Sequence, residues 1–203
     1  MEIIFATGNP HKVTEASKAL GENITLIMPK ELGIAEEIPE TGSTLEENAI
    51  QKCRYIWEKL GRNCFADDTG LEVNALGGGP GVHTARYAGE DKSPGANMDK
   101  LLRELEKTED TCPDRQARFR TVIALMWEGK LYTFEGILEG RIAREKSGIQ
   151  GFGYDPVFIP QGYDKTLAEI SLDEKNAISH RGTAMRKLRD FLRLSCGPDR
   201  QIR

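Results

Sequence analysis

Two adjacent carboxylates, Asp67 and Asp68, follow the apolar run Cys64-Phe65-Ala66 and precede Thr69-Gly70-Leu71. Acids side by side repel unless something positive sits between or beside them. A divalent cation with oxygen ligands is the usual partner; a solvated Asp-Asp turn is the plainer alternative. Glu40, in the acidic stretch 36–42, can reach the same point, whereas Glu36 and Glu37 read as a solvated face. A second group of residues suits an anion: Thr7-Gly8-Asn9-Pro10, with Lys12 close behind. A third interleaves glycines with Phe152, Tyr154 and Asp155. Glycine admits close backbone approach to a flat ligand, a ring can stack on it, and an acid can accept from its N–H groups. The alternative is a packed turn. Last, Ser179-His180-Arg181 gathers donors at the start of a late helix, where a surface pair is the alternative.

The elements that must hold these groups can be read from the pattern. Residues 2–6 form an apolar strand that Thr7-Gly8-Asn9-Pro10 breaks. Asn9 suits an N-cap and Pro10 the first helical position. Val13, Ala16 and Leu20 then recur at helical spacing until Gly21. A strand, a glycine turn and a helix start together point free N–H groups and a positive dipole end outward. Lys12 opposes that dipole, a misfit that an anion would relieve; the Walker spacing is absent. Residues 24–28 read as a second strand. Thr44-Leu45-Glu46-Glu47 is a capping box opening a helix with the stripe Leu45, Ala49, Cys53, Ile56, Trp57, Leu60, which Gly61 stops.

Residues 64–71 read as a buried strand that brings the acids to its end, with a Thr-Gly turn after them. Residues 71–76 fit either an extended or a helical path. Residues 77–81, rich in glycine, read as a tight ordered loop that is neither. Met98, Leu101, Leu102 and Leu105 mark a further helix. Residues 117–127 and 131–142 predict a long hairpin, residues 157–159 a short strand, and Ser171-Leu172-Asp173-Glu174 a second capping box. Ala184, Leu188, Phe191 and Leu192 complete a terminal amphipathic helix. The expected fold is α/β: a mixed central sheet flanked by helices, in two lobes with a cleft between them as the default ligand site.

Composition narrows the classes. The chain has 203 residues, 38% hydrophobic and 30% charged, with net charge −4. That balance argues against nucleic-acid binding through bulk charge. No apolar run approaches bilayer length, and no signal peptide is visible. Four scattered cysteines without a C-x-x-C pair predict reduced thiols in the cytoplasm.

Taken together, an anion turn, metal-binding acids, a ring platform and late donors describe a nucleotide site. The chain resembles the inosine/xanthosine triphosphate pyrophosphatase family, which hydrolyses noncanonical purine nucleoside triphosphates. The resemblance rests on Ala6-Thr7-Gly8-Asn9 with Lys12 and Glu15, and on Glu40-Thr41-Gly42 with Glu47-Asn48-Ala49. It continues through Ala66-Asp67-Asp68-Thr69-Gly70-Leu71, Leu76-Gly77-Gly78 with Pro80-Gly81, and Ala85-Arg86-Tyr87. It closes on Gly151-Phe152-Gly153-Tyr154-Asp155-Pro156, Glu174-Lys175-Asn176 and Ser179-His180-Arg181. These segments keep the family order. The resemblance implies one ITPase-like domain over 1–196, with 197–203 a loose tail.

The resemblance also implies roles. Thr7, Gly8, Asn9, Pro10, His11 and Lys12 hold the triphosphate. Glu40 and Asp68 carry Mg²⁺, with Asp68 the proton acceptor. Thr69, where many relatives have Ser, contacts substrate. Phe152, Gly153, Tyr154, Asp155, Lys175, His180 and Arg181 hold base and phosphates. Attack at the α-phosphorus, with pyrophosphate leaving, is likewise implied by the family. A 6-keto base offers an acceptor where adenine offers an amino donor, so donors near His180-Arg181 favour inosine and xanthosine. A homodimer is expected from the hairpin and the family. One rival is a septum-inhibitor-type pyrophosphatase, whose phosphate turn would carry Ser and Arg. The other is a noncatalytic nucleotide sensor, which has no need of a metal-held base.

Overall fold

A computed structural model of the chain describes residues 1–108 and 112–195. The elements are β1 (Glu2–Phe5), α1 (Pro10–Leu20), β2 (Thr25–Ile27), α2 (Leu45–Leu60), β3 (Cys64–Val73), β4 (Pro80–Gly81), α3 (Pro94–Thr108), β5 (Gln116–Trp127), β6 (Lys130–Ile142), β7 (Phe158–Pro160), α4 (Leu172–Ile178) and α5 (His180–Ser195). Strands pair in the order β2-β1-β3-β5-β6-β7, with β4 beside β3. β1 runs parallel to β2 and β3, whereas β4 and β7 pair antiparallel with β3 and β6. The mixed α/β sheet is the expected one. The tail 197–203 lies outside the described residues. Among the described residues no helix is long and apolar enough to cross a membrane.

The chain divides into two units. The first takes Met1–Asp68, Val122–Gly136 and the chain from Arg181 onward. Ile3, Phe5 and Phe65 bury one strand face against Ala16 and Leu20 of α1 and Ala184, Met185, Leu188 and Leu192 of α5. Phe5 stacks on Phe65 with ring centroids 4.3 Å apart. The alternate residue Cys64 faces α2, where its thiol and that of Cys53 each donate to the other's backbone carbonyl at 3.3 Å. The second unit takes Thr69–Thr121 and Ile137–His180. Its core gathers Leu71, Val73, Leu101, Leu105, Phe119 and Phe158, all buried.

Three local expectations are corrected. The chain does not turn at Thr69-Gly70: β3 is ten residues long and carries both acids in its interior. β-branched Thr69 suits a strand, and ladder pairing of Leu71 with Gly81 and Glu72 with Pro80 carries the extended path onward. That same pairing makes Pro80–Gly81 a short strand rather than loop. Residues 71–76 take both candidate conformations in turn, strand to Val73 and then a 3₁₀ turn over Asn74–Leu76. The short strand after Asp155 is shifted by one residue to Phe158–Pro160.

The capping box of α2 forms as expected. Thr44 Oγ1 accepts from the Glu47 N–H at 3.1 Å, and Glu47 Oε2 accepts from the Thr44 N–H at 3.2 Å. Because α2 presents Asn48 and Lys52 to β3, this cap anchors more than a surface helix. Thr44→Ala is expected to lower the free energy of unfolding by about 1 kcal/mol, read from urea denaturation against the parent chain.

Candidate active site

Side chains of successive strand residues leave on opposite faces. Asp67 and Asp68 therefore do not share a hydrogen-bond partner. Asp67, 1% exposed, lies on the side of α1 and α5. Its Oδ1 accepts from Lys12 Nζ at 2.9 Å and its Oδ2 from Arg181 Nε at 3.4 Å. Glu15 extends the chain of charges by accepting from Arg181 Nη1 at 2.5 Å. Asp68 lies on the side of α2. Its Oδ1 accepts from Lys52 Nζ at 3.1 Å and its Oδ2 from Asn48 Nδ2 at 3.3 Å. The same Lys52 ammonium donates to Glu40 at 2.5 Å. Glu40 and Asp68 thus converge on one positive point.

Burial and charge compete at each group. Burial drives the Asp67 carboxyl upward, but Lys12, Arg181 and Lys52 together hold it below the ordinary range. Burial dominates at Asp68 and keeps it above the ordinary value, although Lys52 and Lys12 pull it down. At Lys52 burial lowers the ammonium, and the carboxylates of Asp68, Asp67 and Glu40 more than restore it. At Lys12 burial prevails and the value falls. The two neighbouring acids are thus shifted in opposite directions, Asp67 downward by its cations and Asp68 upward by burial.

The second unit holds the other predicted groups. Phe152 is 46% exposed, with Lys175 Nζ 4.5 Å from its ring centroid. Asp155 Oδ2 accepts from the Phe152 N–H at 2.8 Å and from Lys175 at 2.6 Å. That oxygen fills the space above Gly151, where an added Cβ would lie 2.1 Å from it. Gly151 also has φ +79°, so the loop needs glycine there. Tyr154 is buried, and its hydroxyl donates to the Thr84 carbonyl at 3.0 Å; it braces the loop from beneath. His180 stacks on Phe119, ring centroids 4.7 Å apart and planes 12° off parallel. The Thr69 hydroxyl lies 2.7 Å from that of Thr121.

Comparison with known proteins gives the family. The family model described as Ham1 family matches residues 3–191. The chain belongs to the Ham1 family. It is 50% identical over 192 residues to a dITP/XTP pyrophosphatase of Flavobacterium johnsoniae, covering 95% of this chain and 98% of that one. It is 47% identical over 195 residues to the dITP/XTP pyrophosphatase of Bacillus subtilis, covering 94% and 96%. Among solved structures, the Staphylococcus aureus Ham1 protein superposes with TM-score 0.87 at 42% identity, covering 96% of this chain and all of that one. A HAM1 protein from Coxiella burnetii gives 0.88 at 41%, covering 95% and 98%.

In this Ham1 chain, the predicted residues of the first unit sit around β1 and β3. Thr7 is buried and its Oγ1 accepts from the Asn9 N–H at 3.1 Å. Gly8, Asn9 and Pro10 are exposed at the start of α1. The side chain of His11 lies outside what the structure describes. Sequence reasoning missed two residues, Asn48 and Lys52. Their signal was present: Lys52 occupies a buried position in register with Leu45, Ala49 and Ile56, and Asn48 lies one helical turn before it. A lysine within an apolar stripe demands a buried anion.

The donor set fits a hard cation. Glu40 and Asp68 bring carboxylate oxygens, the ligands Mg²⁺ prefers, to a point that the Lys52 ammonium holds here, so Lys52 would have to yield to the ion. Among the described residues no group of three or more His, Cys, Asp or Glu could hold an ion. Water and ligand oxygens would complete the shell, as is usual for Mg²⁺.

The depressed Asp67 carboxyl carries a stability prediction. A carboxyl lowered by folding contributes fully above its unfolded value, about pH 4. It loses that contribution as pH falls through the folded value. Asp67→Asn is expected to cost about 3 kcal/mol at pH 7, because Lys12 and Arg181 lose their buried counter-charge. The gap between variant and parent should narrow as pH drops below about 4. Urea denaturation across that range checks it; parallel profiles would refute it.

Proposed function

We propose that this chain hydrolyses inosine and xanthosine triphosphates, deoxy forms included, to the nucleoside monophosphate and pyrophosphate, and that it requires Mg²⁺. The observation carrying this reading is the convergence of Glu40 and Asp68 on the Lys52 ammonium, at 2.5 and 3.1 Å. That the Flavobacterium and Bacillus relatives are dITP/XTP pyrophosphatases supports it.

In this reading Glu40 and Asp68 hold the metal, and Thr7, Gly8, Asn9, Pro10, His11 and Lys12 receive phosphate. A Cβ at Gly8 meets no atom within 4 Å and its φ is not left-handed. Nothing within the described fold asks for glycine there, whereas an approaching phosphate would. Bound Mg²⁺ supplies charge against the phosphate oxygens. Lys12 is fixed by Asp67, and an ammonium has three donors. It can oppose the charge that grows on leaving pyrophosphate without reorganising. Asp68, raised by burial, accepts the proton of the attacking water.

Phe152 offers its exposed face to the base, braced by Asp155 and Lys175, while Gly153 and Tyr154 shape the loop. Thr69, His180 and Arg181 complete the substrate contacts. A 6-keto oxygen pairs with their donors; an adenine amino group leaves a donor unmatched, which costs roughly 1–3 kcal/mol. The reduced thiols Cys53, Cys64 and Cys112 suit the cytoplasm, and the β5–β6 hairpin suits a homodimer. Residues 1–196 act as one ITPase-like domain in this reading.

Pyrophosphate release from ITP, dITP, XTP, GTP and ATP, with and without Mg²⁺, tests the proposal. ITP and XTP should turn over only with the metal, and ATP about tenfold to a hundredfold more slowly. Equal turnover of ATP and ITP would refute the base reading. Asp68→Asn should remain folded by circular dichroism yet lose turnover; near-normal rates would remove Asp68 from proton transfer.

A further inference from the structure

Thr121 lies in the middle of β5 and is completely buried. A hydroxyl sealed from water must place its proton on an acceptor, or lose the energy of an unmade hydrogen bond. Among the described residues its hydrogen-bond partner is Thr69 Oγ1, at 2.7 Å. A hydroxyl has one proton and can both donate and accept. If Thr69 gave its proton to Thr121, the Thr121 proton would be stranded in the interior. The favourable direction is therefore Thr121 donating and Thr69 accepting.

That direction decides what Thr69 can do. With Thr121 donating, Thr69 Oγ1 accepts on that side, and its own proton is directed elsewhere. Thr69 follows Asp68 directly in β3 and is only half-buried. Two residues earlier on the same face of β5, Phe119 stacks on His180. One face of β5 thus backs two residues assigned above to the substrate.

We propose that Thr121 is a positioning residue that fixes the Thr69 hydroxyl as a donor toward an acceptor oxygen of the bound nucleotide. This rests on the reading of Thr69 as a substrate contact. The threonine at position 69 then acts through a relay of two hydroxyls, and its hydrogen-bond direction is set by a residue that never touches the ligand. A phosphate, ribose or keto oxygen meets this donor; an amino group does not.

Steady-state kinetics on ITP with Mg²⁺ test it, using Thr121→Val, Thr121→Ser, Thr69→Val and the double valine variant. Thr121→Val keeps volume and removes the donor, and kcat/KM should fall about tenfold. Thr121→Ser keeps the hydroxyl and should recover most of that loss. Thr69→Val should lose at least as much as Thr121→Val. The double variant should lose no more than Thr69→Val alone, since both act through one relay. A merely structural role for Thr121 would instead give additive losses and a lower melting temperature in proportion. Parent-like kinetics for Thr121→Val alongside a clear loss for Thr69→Val would overturn the positioning role and leave Thr69 as a contact. Parent-like kinetics for Thr69→Val would overturn both.

Discussion

The alternation of side chains along β3 is the constraint from which the rest of the site follows. Two negative charges on consecutive residues would repel if they faced the same way. A strand sends them apart, and each meets its own cations. Asp67 turns to Lys12 and Arg181, and Asp68 to Lys52. The helices are then committed: α1 and α5 must supply positive charge on one face, and α2 on the other. Each acid is also given a different character. Asp67 is sealed among cations and serves as a fixed anion that orders Lys12 and Arg181. Asp68 is nearer solvent, at 13% side-chain exposure, and stays chemically available.

Buried charges of this kind contribute little net stability, because desolvation offsets most of the attraction. Their value lies in geometry. The Lys12 ammonium stands at the first turn of α1, against the helix dipole, and it is held there by a carboxylate from another element. The unfavourable placement seen in the sequence is therefore answered first from inside the protein. An ammonium with further donors can still face outward. The N-terminal turn and the acid pair form one electrostatic unit rather than two neighbouring features.

Much of this was legible in the residues, and the unread part has a physical cause. Helix α2 was readable from Thr44, Glu47 and the stripe through Cys53, since caps and periodicity are local signals. The continuation of β3 through Thr69-Gly70 was not, because it depends on pairing with Pro80–Gly81, a partner set by distant chain. Asp67 and Asp68 were legible as a charged pair, yet their division between two faces emerges only once the strand is known to run on. Lys52 was legible as a lysine within the apolar stripe of α2, but its partners Glu40 and Asp68 were not, since distant chain brings them beside it. The pairing of the Thr69 and Thr121 hydroxyls left no trace in the pattern at all, since a threonine in a strand is ordinary.

The interleaving of chain segments has a consequence for how this protein comes into being. The first unit is assembled from three separate stretches, and its core joins Ile3 and Phe5 to Leu188 and Leu192. On the ribosome, β1 must wait for α5 to emerge before its packing is complete. Cover from α1 and Phe65 comes early and that from α5 much later, so cutting the gene between the two units at one point separates neither of them. Only once α5 has emerged can the first unit close its interior.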